Sequence, residues 1–150
     1  MIYSYTTQSP VGAITITADE ESITGLRFGT GGTTEPNGVI LNALRQLDEY
    51  FSGSRKCFDL PLKPHGTPFQ RSVWAALCDI PYAETRTYGQ IAARIGNEKA
   101  CRAVGMANNR NPIAIIIPCH RVIGSGGKLV GYAGGLEVKR FLLELENKNK

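Results

Sequence analysis

The sequence predicts an α+β fold in which a small antiparallel sheet with one helix precedes a mostly helical second half. Three observations carry this expectation. Residues 2 to 28 alternate apolar and polar side chains in short runs separated by turn residues, the period of half-buried strands. From residue 37 the apolar spacing changes to that of a helix, with side chains three and four apart on one face. Further on, Thr67-Pro68-Phe69-Gln70 and Thr87-Tyr88-Gly89-Gln90 both carry the Thr-x-x-Gln pattern, in which side chains at the first and fourth positions satisfy free backbone N–H groups where a helix begins.

The alternating runs are Ile2 to Thr6, Ile14 to Ala18 and Ile23 to Phe28, joined by Ser9-Pro10-Val11-Gly12 and Asp19-Glu20-Glu21-Ser22, which reads as a meander of strands. Gly29 to Gly38 is a loop by composition. A helix follows from Asn37 with Ile40, Leu41, Leu44, Leu47 and Phe51 as its apolar face and Gly53 as its stop. Nothing in this half resembles a catalytic site. Leu60 to Gly66 holds two prolines and a glycine, which suits a stiff linker, so the boundary between domains falls there, with 1–64 on one side and 65–150 on the other. The next helix is capped by Thr67, carries Pro68 at its first position and buries Phe69, Val73, Trp74 and Leu77. A third opens at Thr87 with Ile91, Ala92 and Ile95, and after Gly96 a fourth runs from Glu98 to Ala107 with Asn97 as cap. Two short helices about a glycine turn have the shape of a helix-turn-helix. Ile113 to Ile117 is a buried strand by its apolar run and delivers Pro118-Cys119-His120-Arg121 at its end. The terminal helix, ending at Glu146, buries Val138, Phe141, Leu142 and Leu145.

The 150 residues allow one globular unit or two small ones. No apolar run reaches the ~18 residues of a membrane span, and the start lacks a secretory pattern, so a cytoplasmic location is expected. Cys57, Cys78, Cys101 and Cys119 lie about twenty residues apart, with only His65 and His120 to join them. That spacing makes no zinc ligand pair, His65 reads as a linker residue, and a reducing compartment would leave the thiols free.

Charge is unevenly placed. Residues 1–64 carry a net charge of −2 and residues 65–150 a net charge of +6, which directs attention to a polyanion at the second half. Between Arg86 and Lys128 stand seven basic residues, Arg86, Arg94, Lys99, Arg102, Arg110, Arg121 and Lys128, and one acidic residue, Glu98. The helix Ala100 to Ala107 is poor in side chains that read base edges. A helix with ordinary side chains is ~10–12 Å across and the minor groove is ~6 Å wide, so an Ala/Gly face suits close approach there. Two readings stay open from the residues alone: Arg102 enters the base stack, or the small face packs on a neighbouring helix and Arg102 is solvated.

A cysteine beside histidine and arginine has the electropositive setting that lowers a thiol pKa. Adjacent side chains diverge, so a water is the expected relay between Cys119 and His120. A buried, inert cysteine remains the competing reading, as a solvated tail residue does for Glu146.

Several separated motifs carry a resemblance. Thr87-Tyr88-Gly89-Gln90-Ile91-Ala92, Arg102-Ala103-Val104-Gly105, Asn111 to Gly124 around Pro118-Cys119-His120-Arg121, and Gly131-Tyr132-Ala133-Gly134-Gly135-Leu136 stand in order from about Thr67 to Glu146. This stretch closely resembles the O6-alkylguanine-DNA alkyltransferases, and the first half loosely resembles their small ribonuclease-H-like domain. The resemblance implies a winged-helix-like second domain with a helix-turn-helix and direct, stoichiometric transfer of an alkyl group from O6 of guanine, with O4 of thymine as a further candidate, to Cys119. It makes His120 the base, Glu146 its orienter, Tyr88 the acid at guanine N3 and Asn111 the link to the reactive loop. Arg102 becomes the residue inserted into the duplex as the base rotates out, with Thr87, Gln90, Ala103 and Gly105 beside it on the DNA face. Gly131, Tyr132, Ala133, Val130 and Pro118 become the base pocket. The implied partner is double-stranded DNA met through the minor groove by a monomer, with no membrane, no cofactor and no metal. A non-catalytic lesion binder on the same fold is disfavoured by the presence of Cys119, and a cysteine hydrolase would leave Arg102 and the basic stretch without a role.

Overall fold

The computed structural model describes residues 1–150. Strands β1 (Tyr3–Ser9), β2 (Gly12–Ala18) and β3 (Ile23–Phe28) form an antiparallel meander in the order β1-β2-β3, as the alternation predicts. Ile14, Ile16 and Ala18 of β2 and Ile23 and Leu26 of β3 are buried, and helix α1 (Gly38–Phe51) covers them. Asn37 caps α1 by accepting from the Ile40 N–H. The buried face of α1 is Ile40, Ala43, Gln46, Leu47 and Tyr50, and Leu41, expected inside, is 54% exposed. The apolar stripe is narrower than the sequence suggests because Gln46 goes inside, where its amide exchanges hydrogen bonds with the backbone of Asp59.

The outer edge of β3 is closed by two distant pieces of chain, each lying parallel to it. Ile23 donates to Pro61 O and accepts from Lys63 N–H, both at 2.8 Å, while Leu26 donates to Pro112 O at 2.9 Å and accepts from Ala114 N–H at 3.1 Å. The proline-rich connection is therefore docked on the sheet, which satisfies edge groups that would otherwise be free. The second piece leads directly to Cys119, so the small sheet braces the segment that ends there. One core of 26 buried residues runs through both halves.

Helices α2 (Pro68–Cys78) and α3 (Tyr88–Arg94) both open with complete capping boxes, at Thr67/Gln70 and Thr87/Gln90. Val73, Trp74 and Leu77 of α2 are buried, Phe69 partly so, and the Trp74 indole donates to Ala107 O of α4 (Cys101–Asn109) at 2.8 Å. Asn97 does not cap α4. With Gly96 at φ 79°, Gly96 N–H bonds to Ala93 O and Asn97 N–H to Ala92 O, the Schellman closure of a helix C-terminus. Asn97 thus finishes α3, and α4 starts later, at Cys101, without a side-chain cap.

Residues Ile113 to Ile117 are buried as expected but do not form a strand. After the bridge at Ile113 the chain coils tightly, with Ile117 N–H bonded to Ile113 O and Ile115 at φ 70°. That left-handed conformation is a strained one for a β-branched residue. The Asn111 side chain holds the coil, accepting from Ile113 N–H at 3.0 Å and donating to Ile117 O at 2.8 Å. Cys119 to Arg121 then form one 3-10 turn. Strands β4 (Arg86–Thr87) and β5 (Val122–Ile123) pair in parallel, which sets the start of α3 beside the residues that follow Cys119. The last helix, α5 (Leu136–Lys148), continues past Glu146 and buries Lys139, Leu142 and Glu146, whereas Phe141 is 38% exposed. Phe141 yields the inner face to Lys139, whose charge has partners there. No helix is long and apolar enough to cross a membrane.

Candidate active site

Cys119 lies under the surface, 5% exposed, at the start of the 3-10 turn. Burial pushes its thiol up to about 11, against the Asn111 amide and the Lys139 ammonium, which favour the thiolate. The sequence suggests a lowered pKa, and the structure corrects this: the neighbours on which that expectation rests face elsewhere. His120 is buried and, through burial, held below the ordinary histidine range, hence neutral near pH 7, and Arg121 turns toward α5. The resting sulfur is a thiol, and making a thiolate requires a base.

His120 has one ring nitrogen held and one free. Its Nε2 is 2.7 Å from Glu146 Oε2, an acceptor when ionised, so Nε2 carries the proton. Nδ1 is then a free lone pair, and it is buried with no protein partner. No hydrogen bond joins the side chains of Cys119 and His120, consistent with the divergence of adjacent side chains, although the His120 backbone N–H favours the thiolate.

Glu146 is completely buried and receives donors on both oxygens. Oε1 accepts from Arg121 Nε at 2.9 Å and Ala83 N–H at 3.1 Å. Oε2 accepts from Tyr50 OH at 2.6 Å, His120 Nε2 at 2.7 Å and Arg121 Nη2 at 3.1 Å. Burial would raise this carboxyl, but the bond to His120 and the guanidinium of Arg121 prevail and hold it down at about 2. Arg121 also donates to Ile80 O. It is fully engaged inside the protein and drops out of the basic set proposed for phosphate contact. Arg86 and Arg94 pair at the surface with Glu84 and Asp79.

The segment before α5 is tethered to that helix by Lys139. Lys139 is completely buried, its ammonium donating to the carbonyls of Val122 and, at 2.9 Å, Val130. The Tyr88 hydroxyl donates to the same Val130 carbonyl at 3.1 Å. Burial raises the phenols of Tyr88 and Tyr132, and a negative charge on Cys119 would raise both further. The Tyr132 hydroxyl is buried without a protein partner, and its ring meets Phe28 of β3 edge-on at 5.6 Å. Two glycines let the segment fit. Gly131 has φ 57°, and a Cβ on Gly134 would stand 2.9 Å from the Phe28 ring. Gly131, Ala133 and Val130 are exposed along this segment.

The helix-turn-helix face lies next to it. A cavity of about 400 Å³ is lined by Thr87, Tyr88, Gly89, Cys101, Arg102, Gly105 and Ser125. Arg102 and Ala103 are exposed on α4, while Gly105 faces the Tyr88 ring, 3.8 Å from where a Cβ would stand. Of the residues read from the sequence, Thr87, Tyr88, Arg102 and Gly105 line this cavity, while Cys119 and the residues from Val130 to Ala133 do not; Gln90 lines a cleft with Arg86 and Arg94, Ala103 one with Phe69 and Met106, and Pro118 a groove with Cys57 and Tyr82. No three His, Cys, Asp or Glu side chains converge as a metal cage.

Tyr50, Ala83, Lys139 and the inward role of Arg121 escape the sequence reading. Lys139 offers a signal, since it is a charged residue three positions before Leu142 on the apolar face of a helix. Tyr50 and Ala83 offer none, because their role depends on where Glu146 lies.

Comparison with known proteins shows the family. A sequence profile for the 6-O-methylguanine DNA methyltransferase ribonuclease-like domain matches residues 1–64, and one for the DNA binding domain of the same family matches residues 68–148. The chain is 56% identical over 147 residues to the methylated-DNA–protein-cysteine methyltransferase of Methanosarcina acetivorans, covering 93% of this chain and 94% of that one. It is similar to the crystal structure of the Mycobacterium tuberculosis O6-methylguanine methyltransferase, with a TM-score of 0.92 and 47% identity over 100% of this chain and 95% of the other. The crystal structure of Mycobacterium tuberculosis OGT in complex with DNA matches with a TM-score of 0.88 and 52% identity, over 96% and 92% of the two chains. With both profiles in register and the relatives aligned nearly end to end, the chain belongs to the 6-O-methylguanine DNA methyltransferase family.

Proposed function

We propose that this protein repairs DNA by moving an alkyl group from O6 of guanine to Cys119 in a single, irreversible event. The observation that carries the reading is the buried His120–Glu146 pair with a free Nδ1, next in the chain to the buried Cys119, which supplies the residue types of a nucleophile, a base and its orienter. With a thiol pKa of about 11, holding the thiolate at pH 7 would cost on the order of 5 kcal/mol, so proton removal belongs to the reaction. A water passes the thiol proton to His120 Nδ1. Sulfur attacks the alkyl carbon, the bond from that carbon to O6 breaks, and its electron pair leaves on guanine. Tyr88 supplies a proton at N3, which neutralises the charge on the departing base. The product is a thioether on Cys119, and no second nucleophile stands ready to remove it.

The target is double-stranded DNA approached through the minor groove by a monomer in the cytoplasm. Arg102 fills the space left by the rotated nucleotide, whose unstacking costs a few kcal/mol and least for a poorly paired lesion. Lys99, Arg110 and Lys128 meet phosphates without reading sequence. Gly131, Tyr132, Ala133 and Val130 wall the base, Asn111 fixes the reactive coil, and Thr87 and Ala103 border the DNA. The domains divide near residue 64.

The test is stoichiometry. Duplex DNA carrying a labelled O6-methylguanine, in excess over protein, should lose one label per molecule and then stop. Continued turnover, or tight binding with no label moved, would overturn the reading.

A further inference from the structure

Tyr50 belongs to α1, 96 residues away in sequence from Glu146, yet its hydroxyl makes a 2.6 Å hydrogen bond to Glu146 Oε2. That is the oxygen held by His120 Nε2 at 2.7 Å. The phenol has no freedom to turn away. Its ring is completely buried and packs against Phe51, Phe58 and Tyr82 at centroid distances of 5.4, 5.3 and 6.4 Å. All these aromatic residues except Tyr82 come from the N-terminal half, so that half determines where the hydroxyl points.

We propose that Tyr50 is a positioning residue of the proton relay: its hydroxyl fixes the rotation of the Glu146 carboxylate and shares the charge of Oε2, and so sets how strongly His120 is held and how basic Nδ1 becomes. This inference rests on the alkyl-transfer reading and extends it, because it gives the ribonuclease-like half a part in tuning the base. The physical reason is competition at one oxygen. Tyr50, His120 and Arg121 all donate to Oε2, and each donor withdraws electron density from the others. Removing the phenol donor strengthens the bond from His120 and favours imidazolium. The other charged or titratable groups around the pair are Arg121 on the same turn, Lys139 on α5, Tyr82 before β4, and Cys119 and Tyr132 at the sulfur. Of these, Arg121 shares Oε2 with the phenol and Tyr82 packs on its ring, and both keep their charge and hydrogen-bonding groups in either variant.

Two variants act in opposite directions. Tyr50→Phe removes the donor, and 3,5-difluorotyrosine incorporated at position 50 keeps the shape while strengthening it. Two readouts are taken on the intact chain: the NMR shift of the His120 Nε2 proton, and the pH dependence of single-turnover methyl transfer from duplex DNA. In Tyr50→Phe the proton should move downfield and the acid limb of the rate profile should rise by about half a pH unit; in the fluorinated protein both should move the other way. A purely structural Tyr50 would lower the melting temperature and leave proton shift and acid limb in place in both proteins, which would overturn the proposal. The proton shift needs no chemistry at Cys119. If wild-type protein transfers no methyl group, the alkyl-transfer reading fails, and the proton shifts still decide whether Tyr50 tunes His120.

Discussion

Arg121 and Glu146 meet side by side in the interior, with Nε to Oε1 at 2.9 Å and Nη2 to Oε2 at 3.1 Å. The paired, planar geometry of guanidinium and carboxylate is the strong form of this interaction. Its effect here is to keep Glu146 anionic without lending that charge wholly to His120, so the histidine stays neutral and able to accept a proton.

Breaking this pair leaves an uncompensated buried charge. Arg121→Met should destabilise the protein by about 3–5 kcal/mol, read from urea unfolding at pH 7. In the fraction that remains folded, Glu146 should draw more strongly on His120, and the acid limb of methyl transfer should move to higher pH.

Stability should fall with acid in two stages. His120 is depressed below its ordinary 6.5 in the folded protein, so the unfolded chain takes up its proton first and stability drops as pH falls below that value. Glu146 is depressed from 4.5 to about 2, so its contribution is complete above pH 4.5 and is lost between there and pH 2. Urea midpoints measured from pH 7 to pH 3 should decline throughout. Glu146→Gln should be less stable at pH 7 and show a flatter lower stage.

Lys139 joins the sulfur to the pocket wall. Lys139→Met removes a charge that favours the Cys119 thiolate and leaves the carbonyls of Val122 and Val130 without their buried donor. The thiol pKa should rise beyond about 11, seen as slower alkylation by iodoacetamide at high pH. Tyr88 should become more mobile as Val130 loosens. An unchanged alkylation profile would contradict this role.

Arg102→Ala should slow repair in duplex DNA far more than reaction with a free benzylated guanine base, because only the duplex has a stack to fill. Equal losses on both substrates would count against insertion.

The elements that the sequence shows well are those with local causes. The meander follows from alternation, and both capping boxes are contained in four residues each. Where competition is distant, the reading fails. Ile113 to Ile117 has every local mark of a strand, but Asn111 and the edge of β3 hold it in a coil. Asn97 can cap a helix or end one, and Gly96 decides for the end. Cys119, His120 and Glu146 stand out through the family motifs, and the structure brings the last two into contact. The protonation of the sulfur was not legible, since it depends on burial and on Arg121 turning to Glu146 rather than to Cys119. Tyr50 is silent in sequence because its meaning comes entirely from packing.

The most direct measurement is the mass of the tryptic peptide Asn111 to Arg121 after incubation with duplex DNA containing O6-methylguanine. The account predicts a gain of one methylene, located on Cys119 by fragmentation and absent in Cys119→Ser. An unchanged peptide while the DNA loses its methyl group, or a methyl group found instead on Cys57, Cys78 or Cys101, would contradict it.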